Sequence, residues 1–176
     1  MDLTYRPRRL RRSESVRSLV RETELQPHHL IYPMFVIDGD GGREPIDAMP
    51  GQYRLSIDEL VAECGRLQEL GVAAVNLFGY CAEKDDQATR AYDPEGLIQR
   101  AVAALKKQWP ELCVQTDVAL DPFTEHGHDG LVVDGEVVND ESVEVLCRMA
   151  VSHAAAPMLE LDLLQSQLTH PDTSPP

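Results

Sequence analysis

The stretch Leu30-Ile31-Tyr32-Pro33-Met34-Phe35-Val36-Ile37 has the length and the β-branched and aromatic content of a buried strand. Two similar runs follow at residues 73–78 and 112–120. All three are nearly continuous rather than strictly alternating, which is typical of parallel strands that are covered on both faces. Each is followed by a polar loop and then by a helical pattern. The sequence therefore predicts repeated βα units around a parallel sheet.

Helix-start signals follow the three runs. Ser56-Ile57-Asp58-Glu59 predicts a capping box, in which the serine hydroxyl accepts from the Glu59 amide and the Glu59 carboxylate reaches back. Asp93-Pro94 predicts an N-cap followed by proline at the first helical position. Asn139-Asp140 predicts the start of a third helix. Its apolar stripe is expected to be buried and consists of Val143, Leu146, Cys147, Ala150 and Val151.

Repeated βα units form either an open, doubly wound sheet or a closed (β/α)8 barrel. No GxGxxG or GxxxxGK[ST] motif follows a predicted strand, which argues against the nucleotide-binding versions. Long loops after the strands favour the barrel, whose chemistry lies at the C-terminal ends of its strands. A barrel needs eight units, whereas only about the first three are predicted in this chain. The predicted fold class is α/β, a partial (β/α)8 TIM barrel with an N-terminal arm.

Charge divides the chain into unequal parts. The formal net charge is −14, yet the first 21 residues hold seven arginines: Arg6, Arg8, Arg9, Arg11, Arg12, Arg17 and Arg21. We predict a basic arm over residues 1–24 and an acidic barrel portion over residues 25–156. The acidic body would repel phosphates and the arm lacks interleaved aromatic residues, so we expect no nucleic-acid partner. The arm is expected to pack on an acidic surface of its own chain or of a neighbouring subunit.

Cysteine spacing and hydropathy indicate the compartment. Cys64, Cys81, Cys113 and Cys147 form no CxxC pair, so a structural zinc site is not expected. Cys64 and Cys147 fall on predicted apolar stripes and are expected to be buried, reduced thiols, which is typical of a cytoplasmic protein. No apolar run approaches the roughly 20 residues that span a bilayer. The arginine-rich N-terminus also lacks the apolar region of a signal peptide.

The stretch from Asp117 to Gly130 gathers ionisable side chains at the end of the third predicted strand: Asp117, Asp121, Glu125, His126, His128 and Asp129. Carboxylates and imidazoles in one loop can bind a divalent cation, and an oxygen-dominated set suits magnesium or manganese better than zinc. Without a metal, neighbouring carboxylates raise one another's pKa, which poises one of them for proton transfer. The alternative is that Asp121-Pro122, Gly127 and Gly130 only shape a turn whose side chains lie in solvent.

This stretch resembles the active-site signature of the delta-aminolevulinate dehydratase (porphobilinogen synthase) family. Further family-like segments occur in order at residues 6–11, 30–36, 43–51, 91–96 and 139–141. The resemblance implies a (β/α)8 barrel, an octameric homo-oligomer and an arm that embraces a neighbouring subunit. It also implies a lyase that condenses two molecules of 5-aminolevulinate to porphobilinogen in tetrapyrrole (heme) biosynthesis.

Site residues carry over from the resemblance one by one. Asp117 matches an active-site aspartate of the family. Zinc-dependent members have three cysteines at the positions of Ala119, Asp121 and Asp129, so the resemblance implies a member without that zinc, of the subclass that magnesium commonly stimulates. Asp121 and Asp129 are then polar active-site groups or weak cation ligands. Arg90 and Tyr92, in the loop after the second strand, are expected at the site mouth, whereas His153 is expected on a helix face.

The family forms Schiff bases through two lysines in the second half of its barrel, and a Schiff base needs an amine with a lowered pKa. The chain has only Lys84, beside Asp85 and Asp86, and Lys106 and Lys107, late in a predicted helix. None matches a reactive lysine of the family, so we expect no independent catalysis.

Family likeness stops after Ala156. Residues 157–176 are first apolar without helix caps and then rich in proline, serine and threonine, which predicts a disordered tail outside the family. We interpret the change as a truncation by a frameshift or a premature stop, and an intact family-like reading frame downstream would contradict this. Two alternative functions remain: a binding or regulatory fragment that joins full-length subunits, and a metal-dependent hydrolase that uses the Asp/His loop.

Overall fold

The computed structural model describes residues 8–156. The arm contains a 3-10 helix, Arg9–Arg11, and the short helix α1, Glu14–Leu19, which begins where the Ser13 hydroxyl accepts from the Val16 amide. Within the described residues the arm has no buried side chain, and its ion pairs join Arg17 and Arg21 to Glu14 inside the arm. Residues 8–24, the described part of the arm, thus bury no side chain against the acidic body of the chain.

Four of the five strands of the sheet run parallel, and all three predicted strands are among them and are confirmed. The sheet order is β2-β3-β1-β4-β5, and β1, β4 and β5 run parallel, with Met34 beside Leu77 and Leu77 beside Thr116. A 3-10 helix, Pro27–His29, precedes β1, and another, Thr89–Ala91, precedes α3. In chain order the elements are β1 Ile31–Val36, β2 Arg43–Pro45, β3 Tyr53–Leu55, α2 Ile57–Glu69, β4 Ala74–Gly79, α3 Leu97–Gln108 and β5 Cys113–Thr116.

Helices cover only one face of this sheet in the described part of the chain. Alternate strand residues, including Met34, Leu77 and Val114, are buried with the apolar sides of α2 and α3 in one cluster. The opposite face, which we call the open sheet face, consists of Ile31, Pro33, Phe35, Asn76 and Phe78, all partly or fully exposed. The expectation of cover on both faces is therefore wrong for residues 8–156. A single outer layer of helices is the arrangement of a barrel, in which the other face points inward.

Two helices begin differently from the prediction. At the start of α2, the Ser56 hydroxyl accepts from the Gly42 amide at 2.9 Å and donates to Asp58, so the predicted capping box with Glu59 does not form. Helix α3 begins at Leu97 with Gly96 as N-cap, not at Asp93-Pro94. Asp93 closes a turn before the helix instead, because its carboxylate accepts from the Glu95 amide.

The last helix, α4, spans Asn139–Ala155 and starts where the sequence predicts. It follows a hairpin of β6 Leu131–Val133 and β7 Glu136–Val138, whose turn at Asp134-Gly135 has positive φ at both residues. The predicted buried stripe is wrong, since Cys147 is exposed and Val151 is 68% exposed. The buried residues are Ser142, Val145, Met149 and His153.

The polar members of the buried stripe explain the rotated helix face. The Ser142 hydroxyl accepts from the Leu131 amide at 2.9 Å, and His153 Nδ1 lies 3.0 Å from Thr116 Oγ1. The Ser142 hydroxyl and His153 Nδ1 thus each have a partner in the interior, and with these two side chains turned inward the helix leaves apolar residues outside.

Cys64 is buried, as predicted, and burial raises the pKa of its thiol to about 12. No helix among residues 8–156 has the length and apolar character that a membrane crossing requires. The predicted disordered tail at residues 157–176 lies outside the described residues.

Candidate functional site

The candidate site lies where β5 ends. The Asp117 amide donates to the Leu77 carbonyl at 3.1 Å, and the chain then leaves the sheet. The loop that follows, residues 117–130, is anchored by Leu120 and Phe123, which are 0% and 3% exposed. They pack in a second buried cluster with Cys81, Ala88, Ala91, Leu131, Val145 and Met149. The backbone of the loop is therefore a packed part of the fold. The alternative of a turn with its polar side chains in solvent fits Asp121, Glu125, His128 and Asp129, which are exposed, but not Asp117 and His126, which are partly buried.

Asp117 is the most perturbed carboxylate of this loop. It is partly buried, and burial raises its pKa above the ordinary value of 3.8. The negative charges of Asp121 and Asp129 raise its pKa further, while a hydrogen bond from the Val118 amide lowers it. The fold thus brings together the three aspartates that the sequence singled out, with one of them poised to hold a proton.

Asp129 also has a structural role. Its Oδ1 accepts from the Leu120 amide at 2.6 Å, across nine residues of the loop. The Thr124 hydroxyl, which is buried, donates to the His128 carbonyl at 3.0 Å. These two hydrogen bonds close the loop on itself and hold Asp121 and Asp129 near Asp117.

The loop that follows β4 is joined to the same site. Lys84 is partly buried, and its Nζ donates to the Asp121 carbonyl at 3.4 Å. The next amide, of Asp85, donates to the Phe123 carbonyl at 3.2 Å. Burial raises the pKa of Asp85, but hydrogen bonds from Thr89 and Gln87 outweigh it and lower the value overall. The sequence placed Lys84 only in a charged loop, and no local pattern revealed its contact with Asp121.

The other ionisable residues of the loop do not join the aspartates. His126 Nδ1 accepts from the His128 amide at 3.2 Å, and the two rings lie 5.4 Å apart. Glu125 and His128 are exposed. Within residues 8–156, no three His, Cys, Asp or Glu side chains are placed to hold one metal ion together.

Arg90 and Tyr92 lie near the strand ends but do not touch the aspartates. Arg90 pairs with Glu83 and with Asp93, the latter at 3.1 Å, and it lines a cavity of about 380 Å³ with Phe123. The Tyr92 ring lies under the guanidinium of Arg148 in α4, 4.8 Å from it. The cavity that Arg90 lines contains none of the three aspartates, and Tyr92 packs against Arg148 of α4, so a role of either residue at the site mouth stays a prediction.

The remaining lysines lie far from the site in the fold. Lys106 Nζ donates to the Leu112 carbonyl at 2.8 Å and to the Pro110 carbonyl at 3.3 Å, just before β5 begins. Lys107 is exposed near the end of α3. Lys84 is therefore the one lysine of the described residues that reaches the C-terminal ends of the strands.

We expect Asp117→Asn to stabilise the chain at pH 7, because the amide removes a partly buried charge that two neighbouring carboxylates repel. The gain in free energy of unfolding should exceed the roughly 0.5 kcal/mol within which ordinary surface substitutions fall. Urea unfolding followed by circular dichroism measures it. The pKa of Asp117 is higher in the folded chain than in the unfolded chain. The charge of Asp117 therefore lowers the free energy of unfolding of the wild type at neutral pH, and this loss vanishes in acid. Asp134→Asn, in the exposed hairpin turn, is the matched control. Equal stability of the two variants would contradict the prediction.

Comparison with known proteins gives the family of this chain. The family model described as delta-aminolevulinic acid dehydratase matches residues 4–159. The delta-aminolevulinic acid dehydratase of Methanothermobacter thermautotrophicus is 52% identical over 155 residues, which are 87% of this chain and 47% of that protein. The Bradyrhizobium diazoefficiens protein of the same name is 48% identical over 158 residues, 89% of this chain and 45% of its own length.

A solved structure shows the same fold. The crystal structure of delta-aminolevulinic acid dehydratase (porphobilinogen synthase) from Toxoplasma gondii ME49, in complex with the reaction product porphobilinogen, matches with a TM-score of 0.83 and 42% identity. The match covers 88% of this chain and 45% of that chain, which confirms the predicted α/β fold as a partial TIM barrel. The chain spans about half the length of the curated relatives it matches. On these matches, the chain belongs to the delta-aminolevulinic acid dehydratase family.

Proposed function

We propose that the chain carries the carboxylate part of a porphobilinogen synthase site. This lyase condenses two molecules of 5-aminolevulinate to porphobilinogen with loss of water, in tetrapyrrole (heme) biosynthesis. The observation that carries the proposal is the placement of Asp117, partly buried at the end of β5 with a raised pKa, in a chain that is 42% identical to a synthase solved with porphobilinogen.

Asp117 is the residue that would move a proton in this site. A carboxyl group with a raised pKa exchanges protons closer to neutral pH than an ordinary aspartate, which suits general acid and base steps of a condensation. Burial raises the pKa of Asp117 most, and the charges of Asp121 and Asp129 raise it further. The hydrogen bond from the Leu120 amide to Asp129 keeps the loop in the conformation that aligns them.

The 176-residue chain alone is expected to be inactive, because a Schiff base with the substrate needs a lysine amine that is free at the strand ends. Among the described residues only Lys84 reaches these ends, and its Nζ donates a hydrogen bond to the Asp121 carbonyl. Incubation of the purified chain with 5-aminolevulinate should give no porphobilinogen in a colorimetric assay. Borohydride treatment should also leave no covalent substrate adduct detectable by mass spectrometry. The intact enzyme of a relative is the positive control for both. Turnover, or labelling at Lys84, would overturn the expectation.

We propose a weak magnesium site at Asp121 and Asp129, completed by water, and no zinc site. Magnesium needs only one or two carboxylates and keeps several waters, whereas the positions that resemble the zinc site hold Ala119, Asp121 and Asp129 without a thiolate. Such an ion would neutralise part of the charge around Asp117. Calorimetric titration with magnesium chloride should show millimolar binding that Asp121→Asn removes and Asp134→Asn keeps. Unchanged heat with Asp121→Asn would exclude this site.

A homo-oligomer assembled through the arm is the partner that we propose. The support is charge and exposure: the arm is arginine-rich, the chain has a net charge of −14, and Leu19 in the arm is 84% exposed. The same features favour the second candidate function, a fragment that binds full-length subunits. Co-purification with an intact homologue, lost when residues 1–24 are deleted, would support that role.

We place the protein in the cytoplasm, since Cys64, Cys81 and Cys147 are free thiols. Family membership removes the support for a separate metal-dependent hydrolase.

A further inference from the structure

An arginine of strand β3 projects from the open sheet face and forms no ion pair in the described chain. Leu55 of this strand is buried against the helices, so alternation turns the neighbouring side chain, Arg54, to the open sheet face. The Arg54 guanidinium lies over the ring of Tyr80, 4.6 Å from its centroid. None of the ion pairs among residues 8–156 includes Arg54. An aromatic ring therefore holds this charge in place, while no carboxylate of the described residues neutralises it.

The register of the sheet places Arg54 in one row with the candidate site. Arg54 pairs with Phe35 of β1, and Phe35 pairs with Phe78 of β4. The pairing of β4 with β5 brings Asp117 to the position beside Phe78. Thr116, one residue earlier, is buried beneath α4, so alternation turns Asp117 to the open sheet face. The row thus has a cation at one end, a carboxylate at the other and two aromatic rings between them, which stack 5.5 Å apart.

The spacing of the two charged ends leaves room for a small molecule. Arg54 and Asp117 stand three strands apart, which is about 14 Å between their backbones at the usual spacing of neighbouring strands. Arg54 is not among the groups that act on the pKa of Asp117, so the two charges do not meet across this gap. The arginine side chain spans part of the distance, and a short aliphatic chain lying on the rings of Phe35 and Phe78 spans the rest.

The chemistry of the arginine end selects a carboxylate. A guanidinium donates two parallel N–H bonds to the two oxygens of a carboxylate, and its fixed fork gives this contact its geometry. Stacking on Tyr80 occupies the flat side of the guanidinium and leaves the N–H groups at its edge available. The methylene groups of an aliphatic acid lose their water against the phenyl rings, which adds to the affinity.

We propose that Arg54, oriented by Tyr80, binds the carboxylate of a small aliphatic substrate whose carbon chain lies on Phe35 and Phe78 and whose far end reaches Asp117. The identity of this substrate rests on the proposed function and is then 5-aminolevulinate. That molecule carries a carboxylate at one end and the reacting ketone and amine at the other. Arg54 is a binding residue in this assignment, and the proton transfer stays with Asp117.

An NMR titration of the 176-residue chain tests the assignment, with the Nε–Hε signal of Arg54 and the ring signals of Tyr80 as reporters. Three ligands are compared: 5-aminolevulinate, levulinate, which lacks the amine, and the methyl ester of 5-aminolevulinate, which lacks the carboxylate charge. We expect the two acids to shift both sets of signals. The ester should bind at least tenfold more weakly, because it cannot form the charged, paired contact with the guanidinium.

Variants separate the role of Arg54 from general effects on the fold. Arg54→Gln should weaken the binding of 5-aminolevulinate at least tenfold, as the loss of a charged hydrogen bond does. Arg148→Gln is the matched control, since Arg148 also lies over a tyrosine ring but belongs to α4, and it should bind as the wild type does. Tyr80→Leu should weaken binding and Tyr80→Phe should restore it, because the ring orients the guanidinium. The two positions give independent tests if one variant fails to fold.

The outcomes distinguish this proposal from the proposed function. Binding of 5-aminolevulinate that Arg54→Gln leaves unchanged would overturn the assignment, and so would equal affinity for the methyl ester. If no ligand shifts the reporter signals, the row is not a carboxylate site and the assignment is wrong, whereas the proposed function still depends on its own assays. If succinate binds through Arg54 and 5-aminolevulinate does not, the carboxylate role of Arg54 stands and the proposed function is wrong.

Discussion

Acidification from pH 7 to pH 5 is expected to lower the free energy of unfolding by about 2 kcal/mol through His153 alone. The imidazole is 0% exposed, and burial lowers its pKa from 6.5 to about 4. Its Nδ1 lies 3.0 Å from the Thr116 hydroxyl, and no carboxylate is among the causes that act on it. A charged imidazolium at this position would therefore lose its hydration without gaining a counter-ion.

The sign of the effect follows from the two pKa values of His153. The unfolded chain binds a proton below pH 6.5, whereas the folded chain binds it only below about pH 4. Between these values protonation favours the unfolded state. The contribution of His153 to the free energy of unfolding is therefore complete above pH 6.5 and is lost as the pH falls toward 4. Asp117 acts in the opposite direction, because its folded pKa is raised and protonation relieves its repulsion. The contribution of His153 must therefore be measured as a difference.

His153→Asn isolates this contribution, since the asparagine amide takes the place of Nδ1 beside Thr116 and does not titrate. Urea unfolding of both proteins at several values between pH 7 and pH 5 gives two curves of stability against pH. We expect the variant to be less stable at pH 7, because the side chain is smaller, but to lose about 2 kcal/mol less on acidification. His28→Asn, at an exposed position, should leave the curve of the wild type unchanged. Parallel curves for the wild type and His153→Asn would refute the account.

The sequence predicted the parts of the fold that depend on local pattern. The strands that contain Phe35, Phe78 and Val114 are apolar runs, and their β-rich composition is sufficient to identify them. The position of Asp117 at the end of such a strand made it a site candidate, and the structure places it among Asp121 and Asp129. The strand predictions hold because a run of β-branched and aromatic residues identifies a strand locally, whatever the loops do.

The errors arose where a distant residue determines a local conformation. Ser56 has a good capping sequence, but the amide of Gly42 takes its hydroxyl. The predicted buried stripe of α4 left out Ser142 and His153, yet the Ser142 hydroxyl accepts from the Leu131 amide and His153 Nδ1 meets Thr116 in the interior. Each of these partners is at least ten residues away, so no local periodicity contains the information.

The start of α3 was also predicted wrongly from the local sequence, and Gly96 at this start gives the second large expected effect on stability. Asp93-Pro94 has the composition of a helix start, but the Gly96 amide donates to the Asp93 carbonyl at 2.8 Å and closes a turn first. Gly96 can serve as the N-cap because it has no side chain. A Cβ at this position would lie 2.8 Å from the Asp93 carbonyl oxygen and closer still to Oε1 of Gln99. Real Cβ atoms do not approach backbone oxygen so closely, so either the turn or Gln99 must move.

Gly96→Ala is expected to destabilise the chain by about 3 kcal/mol, from overpacking of about 1–3 kcal/mol and lost hydrogen bonds of about 1 kcal/mol each. Gln99 is 3% exposed, and its amide donates to the Ala91 carbonyl at 3.1 Å and to the Ser152 hydroxyl at 2.9 Å. It thus joins the loop after β4 to α3 and α4. Displacing it breaks both bonds and leaves a buried carbonyl unsatisfied.

Denaturant unfolding measures the loss, and Gly42→Ala is the matched control. A Cβ at Gly42 would meet only side-chain atoms at ordinary contact distances, Ile37 Cδ1 at 3.4 Å and Ser56 Cβ and Oγ at 3.6 and 3.8 Å, so this change should stay within about 0.5 kcal/mol of the wild type. In a Gln99→Ala background the further cost of Gly96→Ala should shrink but not disappear, because the Asp93 carbonyl remains in the way. Equal effects of the two glycine substitutions would contradict the argument.

Gly96→Ala should also loosen the loop of the candidate site, because the loop before Gly96 contacts residues 117–130 through Lys84 and Asp85. When Gln99 no longer holds Ala91 in place, the bonds from that loop to Asp121 and Phe123 lose their support. We expect faster hydrogen exchange at the Leu120 and Phe123 amides in Gly96→Ala, beyond the change that global destabilisation explains. Exchange that rises uniformly over all amides would show that Gly96 stabilises the fold without positioning the site.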